Sequence, residues 1–137
     1  MKYLTNKKYI LALITLVVFI GLYYSISNPR KTITMRIASP LPNNLVHSPI
    51  TVQGKAKGMW FFEGSFPIIL LDANKKIITT SHATAKGDWM TEDFVPFQAT
   101  FTFSVPPTDT GFVLLKKDNP SGDPKNDSFI SIPVKFR

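Results

Sequence analysis

Both tryptophans and six of the nine carboxylates fall in three short segments, and these are the residues whose types could recognise or transform a ligand. The first segment, Gly58 to Phe66, holds Trp60, Phe62 and Glu63. The second, Gly87 to Phe97, holds Asp88, Trp89, Glu92, Asp93 and Phe94, and the third, Lys116 to Pro124, holds Asp118, Asn119 and Asp123. An indole stacks on a sugar ring or a partner side chain while nearby carboxylates accept hydrogen bonds from it. On that chemistry Trp60, Phe62, Glu63, Asp88, Trp89, Glu92, Asp93, Asp118 and Asn119 are the candidate binding residues. Two other readings stand beside this one. Trp60, Phe62, Trp89 and Phe94 could plug the open end of the fold and bind nothing, leaving an inert structural spacer. Alternatively, a pair such as Glu63 and Asp88 could serve a carbohydrate-active enzyme as acid and base, which needs two carboxyls roughly 5–10 Å apart across a groove. Asp118, Asn119 and Asp123 also offer hard oxygens to calcium, but no twelve-residue EF-hand loop is present and Asp-Asn-Pro-Ser-Gly equally makes tight turns.

Catalytic motifs are otherwise scarce. His47 and His82 are the two histidines, and neither has the spacing of a metal ligand pair or a triad. Ser48, beside His47, precedes a proline and suits a turn better than a nucleophile. No Gly-x-Ser-x-Gly, His-Glu-x-x-His or Gly-rich phosphate loop occurs, and the absence of cysteine removes disulfides, thiolate metal sites and cysteine nucleophiles. The expectation is a protein that is not an enzyme and uses no cofactor or metal.

The elements that must position these residues begin with an apolar run. Tyr9 to Ile26 is eighteen residues without a charge, preceded by Lys2, Lys7 and Lys8. At about 1.5 Å per residue it spans about 27 Å, close to the ~30 Å of a bilayer's hydrocarbon. The run exceeds the core of a secretory signal, and Tyr23-Tyr24 at its end suits an interfacial belt, so residues 1–27 are expected to form a retained signal-anchor. The preceding lysines, against Arg30 and Lys31 beyond, place the amino end in the cytoplasm and residues 28–137 outside it, as a single-pass membrane protein. Residues 28–34 read as a short polar stalk. Of the net charge of +7, the 110 residues after the helix carry +4, with no basic run longer than two. That is a mildly basic surface of solvated lysines and excludes a nucleic-acid stripe, although each basic residue near an anionic wall polymer or headgroup attracts it by roughly 1 kcal/mol.

Residues 35–137 alternate in the manner of strands. Met35 and Ile37 mark the first, and Ile50, Val52, Gly54 and Ala56 the inner face of the second. Pro67 to Ala73, with the unbroken run Ile68-Ile69-Leu70-Leu71, suggests a central strand, and Asp72-Ala73-Asn74-Lys75 a hairpin turn into Ile77–Ala85. Thr100 to Val105 reads as the fifth strand, with Phe101, Phe103 and Val105 facing the core and Pro106-Pro107 stopping it. Phe112–Lys116 and Ser128–Phe136 complete the set, and Pro133 marks the last as an edge or a bulge. Seven short strands with no helical period predict an all-β, antiparallel β-sandwich preceded by one transmembrane helix.

The three polar-aromatic segments also carry a resemblance. Ser-Pro-Leu-Pro at 39–42, Ser-Pro-Ile-Thr-Val at 48–52, Gly-x-Ala-x-Gly at 54–58, Trp-Phe-Phe-Glu-Gly-Ser-Phe-Pro at 60–67, Gly-Asp-Trp-Met at 87–90 and Lys-Asp-Asn-Pro-Ser-Gly at 117–122 resemble the immunoglobulin-like domain of bacterial spore germination proteins in order and spacing. The resemblance covers about residues 35–137. It implies an immunoglobulin-like sandwich of about seven strands in an exported bacterial envelope protein with a link to sporulation or germination. It further implies a noncatalytic interaction module whose partner is an envelope protein or a cell-wall polymer.

Overall fold

In the computed structural model, residues 7–27 and 32–137 are described; Lys2, Arg30 and Lys31, on which the orientation reading partly rests, and most of the stalk lie outside them. The chain divides into two compact units, residues 1–32 and 33–137. The first contains α1, Lys7–Ser27, a helix of 21 residues with exposed side chains on every side. Such a helix is apolar all round rather than amphipathic, and its Lys7–Ser25 portion is long and apolar enough to cross a membrane.

The second unit is built from the period-two segments. Its strands are β1 (Met35–Ser39), β2 (Ile50–Lys57), β3 (Ser65–Asp72), β4 (Ile77–Ala85), β5 (Phe94–Phe101), β6 (Thr110–Lys116) and β7 (Phe129–Lys135). Every pairing between these strands is antiparallel, and they form one continuous sheet in the order β1-β2-β5-β4-β3-β6-β7. β4 and β5 meet only through Thr84–Gln98 and Ala85–Phe97. At that short junction the sheet curls, so that β1-β2-β5 faces β4-β3-β6-β7. The sandwich expected from sequence is thus a single sheet folded on itself.

Inward alternation fills the space between the layers. Phe66, Ile68 and Leu70 of β3 and Val113 and Leu115 of β6 are fully buried, as are Val52 and Ala56 of β2. Phe66 meets Phe97 of the opposite layer with ring centres 5.0 Å apart. β3 is central, as its apolar run requires, and its outer residues Ile69 and Leu71 are half-buried. The hairpin after it is fixed by Asp72, a buried carboxylate whose Oδ1 accepts the N–H groups of Asn74 and Lys76 at 2.8 and 2.9 Å. β7 is the edge strand that Pro133 announced, and the segment after β1 covers it: Asn43 N–H donates to the Pro133 carbonyl, and Val46 N–H to that of Lys135.

The fifth strand lies six residues earlier than its alternation suggests. β5 buries Val95, Phe97 and Ala99 and leaves Phe101 half-buried. Phe103 is buried outside the strand, where its N–H donates to Ser48 Oγ at 2.9 Å, and Val105 is exposed rather than in the core. Pro96 does not break β5 because its carbonyl accepts from Lys86, on the side away from β2. A strand residue points its N–H and C=O to the same side, so the missing donor costs the β2 ladder nothing.

Candidate functional site

The three polar-aromatic segments are the loops β2–β3, β4–β5 and β6–β7, and backbone contacts bring them together at one end of the sandwich. Gly58 opens a 3₁₀ turn, Gly58–Trp60, and a Cβ there would collide with the carbonyl oxygens of Trp89 and Thr91. Asp118 N–H donates to the Trp60 carbonyl at 3.2 Å, which ties the third loop to the first. Phe62 and Ser65 exchange both backbone hydrogen bonds around Glu63-Gly64, at φ 50° and 76°. Two successive positive φ values make a type I′ hairpin turn.

Burial then sorts the candidates. Trp60 is only 1% exposed and packs edge-on against Phe66 at 5.9 Å, with Phe61 on the same ring at 5.2 Å. Trp89 is half-buried, and a Cβ on Gly64 would sit 3.4 Å from its indole. Phe94 is not a loop residue: it opens β5 and faces outward beneath the Arg36 guanidinium. Glu63, Asp88, Glu92 and Asp93 are exposed, whereas Asp118 and Asn119 are half-buried. Asp88 Oδ1 accepts the N–H of Met90 at 3.0 Å, an Asx turn that shapes the second loop.

Asn119 holds the third loop together. Its amide donates to the Asp123 carbonyl and to Asp127 Oδ1, at 2.8 and 2.9 Å, while its oxygen accepts from Ser121 Oγ at 2.6 Å. Asp123 caps the 3₁₀ turn Pro124–Asn126 through Lys125 N–H. The side-chain oxygens of Asn119 and Asp123 are therefore committed to turns, and among the described residues no three acidic or histidine side chains converge to hold a metal.

Two clefts flank this loop. One, of about 380 Å³, joins Met59, Phe61 and Phe62 to Asp118, Asn119 and Ser121. The other, of about 260 Å³, lies between Pro67, Lys116, Asp118, Asn119 and Asp127. Phe62, Asp118 and Asn119 thus share a surface that Met59, 58% exposed, extends. Trp60 supports it from the core, and Glu63, Asp88, Trp89, Glu92 and Asp93 line neither cleft. Met59 carried a signal, an unexplained thioether beside Trp60 in a loop, but the cleft itself depends on how β6–β7 folds back.

A third cleft, of about 460 Å³, had no counterpart in the motif reading. It opens on the outer face of β1-β2-β5 and is lined by Arg36, Gln53, Lys55, Lys86 and Gln98. The alternation of β2 puts Gln53 and Lys55 on one face, but only the register with β1 adds Arg36.

A seven-stranded antiparallel sheet curled on itself, with clefts beside its end loops, defines an immunoglobulin-like domain. The family model for the immunoglobulin-like domain of bacterial spore germination matches residues 34–123, and the chain belongs to that family. No curated protein and no solved structure matches the chain. β7 lies beyond the matched span and completes the sheet beside β6.

Proposed function

We propose that this protein is a noncatalytic recognition module, anchored by α1 with its immunoglobulin-like domain outside the cytoplasm, that binds a cell-wall polymer or envelope protein at the loop end. The observation that carries this reading is the cleft in which exposed Met59 and Phe62 meet the polar edge of the Asp118–Asn119 loop. An apolar floor with polar groups along one wall suits a sugar ring or an amphipathic side chain. Glu63 and Asp88 serve turns instead, the first at a left-handed backbone position and the second through its bond to Met90. That favours binding over acid–base chemistry.

Co-sedimentation of the detergent-solubilised full chain with purified cell walls tests the reading. Saturable binding is expected, lost in Phe62→Ala and kept in Glu63→Gln, both variants being checked for folding by thermal melting. Wall turnover that Glu63→Gln abolishes would replace the binding module with an enzyme. Binding indifferent to Phe62 would remove the loop-end cleft from the account.

A further inference from the structure

The outer face of β1-β2-β5 presents a different chemistry from the loop end. Alternation sends Arg36 outward from β1, Gln53, Lys55 and Lys57 from β2, and Phe94, Pro96 and Gln98 from β5. Antiparallel register sets Arg36 directly opposite Lys55, Gln53 opposite Gln98 and Lys57 opposite Phe94. Lys86 joins them because its backbone N–H donates to the Pro96 carbonyl at 2.8 Å. No carboxylate lines the resulting cleft, and among the described residues neither Arg36, Lys55, Lys57 nor Lys86 forms an ion pair.

This arrangement opposes stability. Like charges directly across a strand pair repel, and a glutamate at either position would have turned repulsion into attraction. Departures of this kind concentrate where a surface is built for a ligand. The cations are also braced: one Phe94 ring has the Arg36 guanidinium carbon 4.5 Å from its centre and Lys57 Nζ at 4.6 Å. Gln53 and Gln98 add neutral amide donors to the same concavity.

We infer that this cleft binds a linear phosphate-bearing polyanion, with Arg36, Lys55 and Lys86 as its charge contacts and Gln53 and Gln98 as neutral donors. A guanidinium fork and two ammonium groups match the several oxygens and high charge of phosphate groups. A chain is favoured over a bilayer because none of the large exposed apolar side chains lines the cleft to insert among acyl chains. The three cations come from β1, β2 and the segment after β4, so they are spread across the cleft rather than gathered at one point, as a chain of phosphates requires and a single phosphate does not.

The test uses the full chain in nanodiscs of zwitterionic lipid, with fluorescent long-chain inorganic polyphosphate as the probe and affinity measured across a salt series. Wild type is expected to bind, and the double variant Arg36→Gln/Lys55→Gln to bind at least 10-fold more weakly. Its slope of log affinity against log salt is expected to be smaller by about 1.4, at about 0.7 per neutralised phosphate on a single strand. Its melting temperature should stay close to wild type, since loss of the repelling pair offsets loss of the Arg36–Phe94 contact. Lys135→Gln, on β7, should bind as wild type. Absence of polyphosphate binding by wild type, or an equal loss in Lys135→Gln, would overturn the proposal. So would binding of the wild-type chain to vesicles containing an anionic phospholipid that Arg36→Gln/Lys55→Gln abolishes and excess polyphosphate does not compete away, which would assign the cleft to lipid headgroups. Phe62→Ala should retain polyphosphate binding, so this cleft and the loop-end reading fail on separate variants.

Discussion

Trp60 and Phe62 are two residues apart in a single loop, one buried and the other exposed. The Trp60 indole is buried against Phe66, so Trp60→Ala removes packing from the core and is expected to cost about 3–5 kcal/mol. Against a typical domain stability of about 5–15 kcal/mol, thermal melting should show a large drop or no folded protein. Trp89→Ala should cost about half as much, since that ring is half-buried beside Gly64; a cost equal to that of Trp60 would mean the second loop is part of the core. Glu63 gives a prediction of the other sign. Its φ of 50° suits asparagine better than glutamate, and Asn-Gly is the preferred pair in a type I′ turn. Glu63→Asn is therefore expected to stabilise by up to ~1 kcal/mol, and a loss of stability in a denaturant melt would show that the carboxylate makes a supporting contact.

At the scale of elements, β1 depends on a glycine. A Cβ on Gly54 would strike the Arg36 carbonyl and stand 3.1 Å from the Phe97 ring, so the two strands approach this closely only without a side chain there. Gly54→Val is expected to cost at least about 1–3 kcal/mol by overpacking and to release β1 first. Hydrogen exchange should show protection lost in residues 35–39 while β3 and β6 keep theirs; uniform loss would mean β1 is not a separate cooperative piece. Gly54 also shows how far sequence carries. The alternation of β2 places it on the inner face, yet its partner Ile37 is a matter of register, which only the paired strand supplies. For β5 the sequence gives the correct face and the wrong start, because Val95, Phe97, Ala99, Phe101 and Phe103 share one period of two. The hydrogen bond from Phe103 to Ser48 ends the ladder, and that contact joins residues 55 positions apart. The loop end was legible as a composition of aromatics and carboxylates, but the inward turn of Trp60 and the internal bonding of Asn119 come from packing. The basic cleft stayed hidden for a related reason: its cations come from two strands and a loop, never as a run.

For the whole molecule, the question is what the helix contributes to the domain. Among the described residues, every member of the buried core lies between Met35 and Phe136. The first strand is secured from within its own unit, since Lys57 N–H donates to the Thr34 carbonyl at 2.9 Å. The core that opposes conformational entropy is thus built within residues 33–137. Residues 33–137 alone are expected to fold and to melt within about 2 °C of the full chain, a shift corresponding to well under 1 kcal/mol for a domain of this size. Transfer to water works in the opposite direction for α1, whose exposed apolar side chains favour a bilayer over solution. Cell fractionation should therefore find the full chain with the membrane and residues 33–137 in the soluble fraction. If the full chain were recovered soluble and shortened at its amino end, α1 would be a signal that is removed, and the immunoglobulin-like domain would act untethered. If the isolated domain failed to fold, the helix would have a packing role in the native state.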